Sequence, residues 1–236
     1  MFVRTAPRPP GTRAGRPPLP STLATRVRPI SPAGDRLLPV DPLLSPLFPD
    51  GALRRGSTVL VTGDPGHGAT TLAFSLLVAA STAGSWCAAV GFGDPGVVAL
   101  AELGVDLERL ALVPDPGSGW ADTAAALVDG LEVVLVRPPA RAAMTAARHL
   151  VARTRDRQAV LVVLARRAEG WPEPADVHLQ LGETSWWGME RGHVPLRARR
   201  AEVRSSGRRA AWRPLRRDYW LPGDDGRLSA AGDPSA

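Results

Sequence analysis

Lysine is absent from this 236-residue sequence, so arginine supplies all 29 of its basic side chains. The absence says little by itself, because a GC-rich genome favours arginine codons over lysine codons. It becomes informative once a motif requires a lysine. Cysteine is nearly absent as well, and the single residue Cys87 excludes a disulfide framework or a cysteine-based zinc site. Because Cys87 lies in an apolar run, it is predicted to be a small buried side chain.

Long apolar runs are also missing, and no stretch of about 18 such residues exists to cross a membrane. The Pro- and Arg-rich N-terminus has no apolar segment of the kind that a secretory signal contains. A cytoplasmic location and no membrane partner are therefore expected. The four histidines show no ligand spacing, so no metal and no cofactor are predicted.

Charge is distributed unevenly along the chain. Residues 1–36 hold seven arginines and one acid, and residues 191–217 hold ten arginines and one acid, whereas residues 37–190 are acidic overall. Concentrated arginine favours a polyanion such as nucleic acid, or an acidic protein. A solvated surface without a partner is the alternative interpretation.

Proline divides the chain into regions, since 12 of its 24 prolines fall within residues 1–50. Residues 1–36 are predicted to be a disordered Pro/Arg-rich tail, because such a composition builds neither helix nor sheet. Residues 37–222 are predicted to form one domain that includes the Arg-rich strands of 191–217. Residues 223–236 are predicted to be a flexible tail.

Hydrophobic periodicity in the central region alternates between strand and helix. Continuous apolar runs predict buried strands, and recurrence every three to four residues predicts helices. The strands fall at 57–62, 86–92, 110–113, 132–136 and 159–165, and the helices at 70–83, 97–103, 120–127 and 140–155. This alternation predicts an α/β fold whose mainly parallel sheet carries helices on both faces. After Trp171 the weaker alternation predicts antiparallel C-terminal strands at the sheet edge.

A phosphate-loop pattern follows the first buried strand and opens the first helix, which is the context this motif requires. Gly63 and Gly68 have the expected spacing, and Thr70 takes the position of the hydroxyl that binds magnesium. The lysine position, however, is Ala69, and a methyl group cannot reach the outer phosphates as a cation does. The segment reads Gly63-Asp-Pro-Gly66-His-Gly68-Ala69-Thr70-Thr71.

The acid that would hold magnesium is missing too. The strand at Val133–Val136 continues into Arg137, so a cation stands at the metal-acid position. These two losses predict that the protein is not an ATP-hydrolysing enzyme and has no catalytic residue. Gly63, Gly66 and Gly68 are then predicted to serve backbone conformation and close packing. Residual phosphate binding by backbone amides at the helix N-terminus is the alternative.

The segments Gly51–Gly56, Gly63–Thr71, Leu103–Leu110 and Val133–Val136 follow one another in a characteristic order. In this order, residues 51–165 resemble the RecA/RadA recombinase core. A second set of segments is Arg54–Val59, Ala83–Ala88, Leu110–Pro114, Val134–Pro139, Leu196–Arg200 and Tyr219–Gly223. Through these segments the chain over residues 37–223 is more closely similar to the ImuA-type mutasome proteins of actinobacteria, which are non-catalytic relatives of RecA.

This resemblance implies a RecA-like P-loop NTPase fold with a degenerate nucleotide site. Where RecA carries its catalytic glutamate, this chain has Phe92-Gly93, neither of which activates water. The implied function is a non-enzymatic adaptor in error-prone translesion synthesis during the SOS response to DNA damage. The implied partners are an ImuB-type Y-family-like polymerase and an error-prone DnaE-type polymerase, at the nucleoid when the complex is active. The alternatives are a SulA-like cell-division inhibitor and an ATP-dependent recombinase-like DNA-binding protein.

The basic segment near the C-terminus is the predicted contact surface for a partner protein, with direct DNA binding as the alternative. Arginine beside tryptophan suits either a protein hot spot or base stacking. Alternation places Arg197 and Arg199 on one face, and a hairpin at Ser206-Gly207 would bring Arg208 and Arg209 near Arg204. The residues assigned to this surface are Arg197, Arg199, Arg200, Arg204, Arg208, Arg209, Trp212 and Trp220.

Overall fold

Strands and helices alternate through most of the residues that the computed structural model describes, which are 36–187, 198–208 and 214–231. The strands are β1 (Leu37–Leu38), β2 (Leu53–Arg54), β3 (Thr58–Thr62), β4 (Cys87–Val90), β5 (Leu110–Val113), β6 (Val133–Val136), β7 (Val160–Ala165), β8 (Val177–Trp187), β9 (Ala198–Gly207), β10 (Leu215–Trp220) and β11 (Ser229–Ala230). The helices are α1 (Ala69–Thr82), α2 (Val97–Leu103), α3 (Trp120–Val128) and α4 (Met144–Arg157). The predicted N-terminal tail lies outside the described residues up to position 35.

One sheet contains nine strands in the order β11-β10-β9-β8-β3-β7-β6-β4-β5. The pairs β8–β3, β3–β7, β7–β6, β6–β4 and β4–β5 are parallel, whereas β9, β10 and β11 add antiparallel pairs. The predicted α/β class, with a mainly parallel sheet and antiparallel C-terminal strands, is therefore confirmed. β8 itself joins the two parts, because it runs parallel to β3 and antiparallel to β9.

Apolar side chains cover both faces of the sheet at β3, β4, β6 and β7. On one face, α1 and α2 pack through residues such as Leu72, Phe74 and Leu103. On the other, α3 and α4 pack through residues such as Trp120 and Leu150. Strands buried on both faces need apolar residues at every position, which is why β6 and β7 read as unbroken apolar runs.

Cys87 is fully buried in β4. Burial raises the pKa of its thiol to about 12, so the thiol stays protonated at neutral pH. This confirms the predicted role of Cys87 as a small apolar side chain. Among the described residues, no helix has the length and apolar character needed to span a membrane.

Several element boundaries differ from the prediction, each for a local reason. α4 begins at Met144 rather than at Ala140, because the chain before it is extended and the Ala142 amide donates to the carbonyl of Gly170 at 3.4 Å. The predicted strand at 86–92 ends at Val90, since Gly91 adopts a left-handed φ of 84°.

The C-terminal turns also differ from the sequence-based expectation. β9 continues through Ser206 and Gly207, which pair with His178 and Val177, so the prediction of a hairpin turn at these two residues is wrong. Residues 223–231 of the predicted flexible tail are described by the structure. They contain a turn in which the Gly223 amide bonds the carbonyl of Arg227, followed by β11, which pairs with β10. Residues 232–236 of that tail lie outside the described range.

Candidate functional site

The phosphate loop joins the carboxyl end of β3 to the first residue of α1. Gly66 and Gly68 have left-handed φ values of 82° and 97°, which side-chain-bearing residues rarely adopt. Gly63 lies where an added Cβ would come within 3.2 Å of the side chains of both Leu181 and Ala69. The three glycines therefore have conformational and packing roles in this loop.

Ala69 and Arg137 stand at the two positions where a hydrolytic site needs a lysine and an acid. Ala69 is buried and its methyl group faces Gly63. Arg137 follows β6, and its Nη2 donates to Oγ1 of Thr70 at 2.8 Å. Its guanidinium lies over the Phe92 ring at 4.6 Å from the ring centroid. Desolvation lowers the pKa of Arg137, although an arginine keeps its charge at neutral pH. A guanidinium thus bonds the hydroxyl that the sequence motif assigns to magnesium.

A second arginine reaches the loop from the far end of the chain. Arg199, on β9, has only 5% of its surface exposed. Its Nη1 donates to the carbonyl of Gly66 at 2.9 Å, and its Nη2 donates to Oγ1 of Thr71 at 3.4 Å. Its Nε donates to the carbonyl of Leu221 at 2.8 Å, and its guanidinium lies 4.9 Å from the ring centroid of Trp186. Arg199 therefore ties the C-terminal strands to the phosphate loop.

The sequence groups Arg199 with the partner surface, and the structure places it against the loop instead. The signal that identifies its position is strand alternation, because Arg199 is in phase with Ala201 and Val203, which are both fully buried. Burial lowers the pKa of Arg199, and no carboxylate among the described residues forms an ion pair with it. The three hydrogen bonds that its guanidinium donates within the described residues go to uncharged oxygens.

A cavity of about 860 Å³ lies above the loop. Its walls carry two carboxylates, Asp64 and Glu169, and Asp64 forms an ion pair with Arg166 at 3.3 Å. Proline and aliphatic side chains make up part of the remaining wall. The arginines that line the cavity are Arg137, Arg141, Arg166, Arg167 and Arg199. The site as a whole is therefore positively charged although the motif has lost its lysine.

The outer face of β8, β9 and β10, opposite Arg199, carries a charged ladder with a pair of tryptophans. Arg200 donates to Asp218 at 2.7 Å, whereas Arg204 and Arg216 share the buried carboxylate of Glu202. The rings of Trp187 and Trp220 meet edge to face at 6.5 Å. We call these residues the outer-face cluster: Trp187, Arg200, Glu202, Arg204, Arg216, Asp218 and Trp220.

Other residues predicted for the partner surface are placed apart from this cluster or are not described. Arg208 is exposed just after β9, and its amide donates to the carbonyl of Asp176 at 3.3 Å. Arg197, Arg209 and Trp212 lie outside the described residues. The structure thus groups Arg200, Arg204 and Trp220 from the predicted set, and it adds Trp187, which the sequence analysis missed.

Gly68 provides a direct test of the contact between the loop and Arg199. A Cβ at Gly68 would approach Arg199 Nη2 to 2.5 Å, whereas one at Gly66 would meet no atom within 4 Å. Both glycines have positive φ, so alanine at either position costs about 1–2 kcal/mol of backbone strain. We expect Gly68→Ala to lower the free energy of unfolding by roughly a further 1–3 kcal/mol, because Arg199 must leave its acceptors. Urea unfolding of both variants measures the difference, and equal losses would contradict the contact.

Comparisons with known proteins identify relatives of the central region. A family model described as the MT3502 N-terminal domain matches residues 46–173. The uncharacterized protein Rv3395c of Mycobacterium tuberculosis (strain ATCC 25618 / H37Rv) is 40% identical over 97 residues, which cover 41% of this chain and 48% of that protein. The chain therefore spans about half the length of the curated relative that it matches. The family match includes the phosphate loop and Arg137, and it ends before β8.

Proposed function

Given that the chain belongs to the MT3502 N-terminal domain family, we propose that it is a non-enzymatic adaptor of an error-prone DNA-synthesis complex. In this proposal it is an ImuA-type protein with a RecA-like P-loop fold. It joins an ImuB-type Y-family-like polymerase to a DnaE-type polymerase during translesion synthesis in the SOS response. The proposal includes a cytoplasmic location, with recruitment to the nucleoid when DNA is damaged.

The strand order supports the RecA-like part of the proposal. β3, which precedes the phosphate loop, and β6, which ends at the metal-acid position, are separated by β7. The loop and Arg137 therefore follow two parallel strands that lie two positions apart in the sheet. The loop itself lies at the carboxyl end of a central parallel strand, where α/β sheets place their binding sites.

The contact between Arg137 and Thr70 carries the non-enzymatic part of the proposal. Phosphoryl transfer relies on a metal ion to neutralise the charge that develops on the phosphate oxygens. Here a guanidinium donates to the hydroxyl that should ligate that ion, and Phe92 lies beneath the guanidinium where an activating carboxylate would be needed. A fold that keeps the loop geometry without this chemistry is suited to binding and scaffolding.

The outer-face cluster is the surface that we assign to the ImuB-type polymerase. Trp187 is 64% exposed, although tryptophan is a costly side chain to leave in water. Trp and Arg are the residues most enriched in protein hot spots. Arg200, Arg204 and Arg216 each have a carboxylate partner, so little unpaired positive charge remains here for a phosphate backbone. This pairing favours a protein over DNA at this surface.

Affinity capture tests the proposal. The full-length chain, tagged and expressed in cells that encode all three proteins, is recovered after treatment with a DNA-crosslinking agent and analysed by mass spectrometry. We expect the ImuB-type and DnaE-type polymerases to be enriched relative to capture with the tag alone. Recovery of cell-division proteins without either polymerase would overturn the proposal in favour of a SulA-like inhibitor.

A further inference from the structure

We propose that the arginine-lined cavity above the phosphate loop binds the di- or triphosphate group of a ligand without a magnesium ion. This site is separate from the outer-face cluster, and the inference does not depend on the adaptor function. It assigns a ligand class to a loop that lacks the lysine and the acid of the phosphate-binding motif.

The cavity carries an excess of positive charge. Five arginines line the cavity against two carboxylates, and one of those carboxylates is paired with Arg166. Within the described residues, no ion pair engages Arg137, Arg141 or Arg167. Like charges that converge on one cavity repel one another, and a polyanion relieves that repulsion. Guanidinium groups suit phosphate particularly well, because their planar forks donate paired hydrogen bonds to its oxygens.

Arg137 is held in place by several contacts. Its side chain is held at Thr70 Oγ1 and on the face of Phe92, and its own amide donates to the carbonyl of Val90 at 2.9 Å. A Cβ at Gly91 would come within 2.6 Å of the Arg137 carbonyl, so glycine is needed for this close approach. Arg137 thus places a fixed positive charge at Thr70, the hydroxyl that the motif assigns to magnesium, without a metal ion.

Arg199 adds a buried charge to the cavity. Its guanidinium is enclosed, lines the cavity, and bonds only uncharged oxygens among the described residues. A buried cation without a counter-ion is costly. The first amides of α1, at Ala69, Thr70 and Thr71, have no intrahelical acceptor, and these three residues line the cavity. An anion in the cavity would neutralise the charge of Arg199 and accept hydrogen bonds from these amides.

The size and lining of the cavity indicate the ligand class. Its volume of about 860 Å³ exceeds what a single phosphate needs and lies in the range of small-molecule sites. Pro138, Pro139 and Leu164 give part of the wall an apolar surface suited to an organic group. The shared chemistry is a phosphate chain, which either a free nucleotide or the 5′-phosphorylated end of a DNA strand could present.

Titration calorimetry on the full-length chain, with pyrophosphate as the probe, tests the proposal. We expect saturable binding in EDTA and weaker binding in excess magnesium, because the metal neutralises the ligand and is repelled by Arg137. R137Q and R141Q should each weaken the affinity about tenfold or more. Arg141 is exposed, and its side chain forms no hydrogen bond or ion pair with the described residues. R141Q should therefore keep the fold even if R137Q disturbs it. The matched control is R109Q, since Arg109 lies over Trp86, away from the cavity.

Displacement of pyrophosphate then distinguishes the two sources. Displacement by ATP but not by DNA identifies a free nucleotide. Displacement by a 5′-phosphorylated single strand, but not by its unphosphorylated counterpart, identifies a DNA end. The proposal is overturned if pyrophosphate does not bind, if binding requires magnesium, or if R109Q weakens it as much as R141Q does.

Discussion

Purified full-length protein is expected to release no inorganic phosphate from magnesium-ATP above a buffer blank, with or without single-stranded DNA. The reason is that three groups are missing together: the lysine at Ala69, the metal-holding acid at Arg137 and the activating acid near Phe92. Removal of a single charge-stabilising group commonly costs about 100- to 1,000-fold in an enzyme's turnover. The combined loss places turnover below detection in a phosphate-release assay.

Restoring one or two of these three groups should not restore ATP turnover. Ala69→Lys returns the cation of the motif, but Arg137 still occupies the Thr70 hydroxyl. We therefore expect phosphate release by Ala69→Lys to equal that of the buffer blank. The double variant Ala69→Lys/Arg137→Asp should also release no phosphate, because the position of the activating carboxylate is still occupied by Phe92. Turnover by the unmodified protein, or by Ala69→Lys alone, would show that this site performs catalysis by a route the loop geometry does not explain.

Trp187→Ala is expected to weaken capture of the ImuB-type polymerase by about 30-fold or more, which is the scale of a tryptophan hot spot. Trp187 is 64% exposed and contacts Trp220 edge to face, so its removal takes away binding surface while leaving the core intact. Surface plasmon resonance with the purified partner measures the change. The matched control is Trp86→Ala, because Trp86 is also exposed but precedes β4 at the other end of the sheet.

Salt distinguishes a protein interface from a DNA-binding surface in the same experiment. Phosphate contacts release counter-ions, so DNA affinity falls steeply as salt rises, whereas an interface anchored by tryptophan responds weakly. We expect the polymerase affinity to change little between low and moderate salt. A steep salt dependence, or equal losses for Trp187→Ala and Trp86→Ala, would remove the outer-face cluster as the partner surface.

Most elements of the sheet could be predicted because local patterns determine them. The apolar runs of β6 and β7 and the helical spacing in α1 predict their structures with no information from the rest of the chain. The glycine spacing of the phosphate loop is equally local. The loss of its lysine and acid was therefore visible at Ala69 and Arg137 in the sequence alone.

The positive character of the cavity could not be predicted in the same way. Arg199 bonds Gly66 across 133 positions of sequence, and that contact depends on the pairing of β8 with β9 and on an irregularity between Leu181 and Thr184. The Ser206-Gly207 turn signal was overridden for a related reason. Pairing with His178 and Val177 extends β9 through both residues. Tertiary pairing of this kind outweighs local turn preference.

Glu202 restricts β9 to a single pairing register. Its carboxylate lies between Arg204 and Arg216 and faces Gly182, where an added Cβ would come within 2.7 Å of it. A slip of one residue would turn Glu202 toward the apolar face and Arg199 toward solvent, because successive strand residues point to opposite faces. The phosphate loop receives its second cation only in the correct alignment. Completion of this site is therefore tied to a long-range pairing, which forms more slowly than the local helices around it.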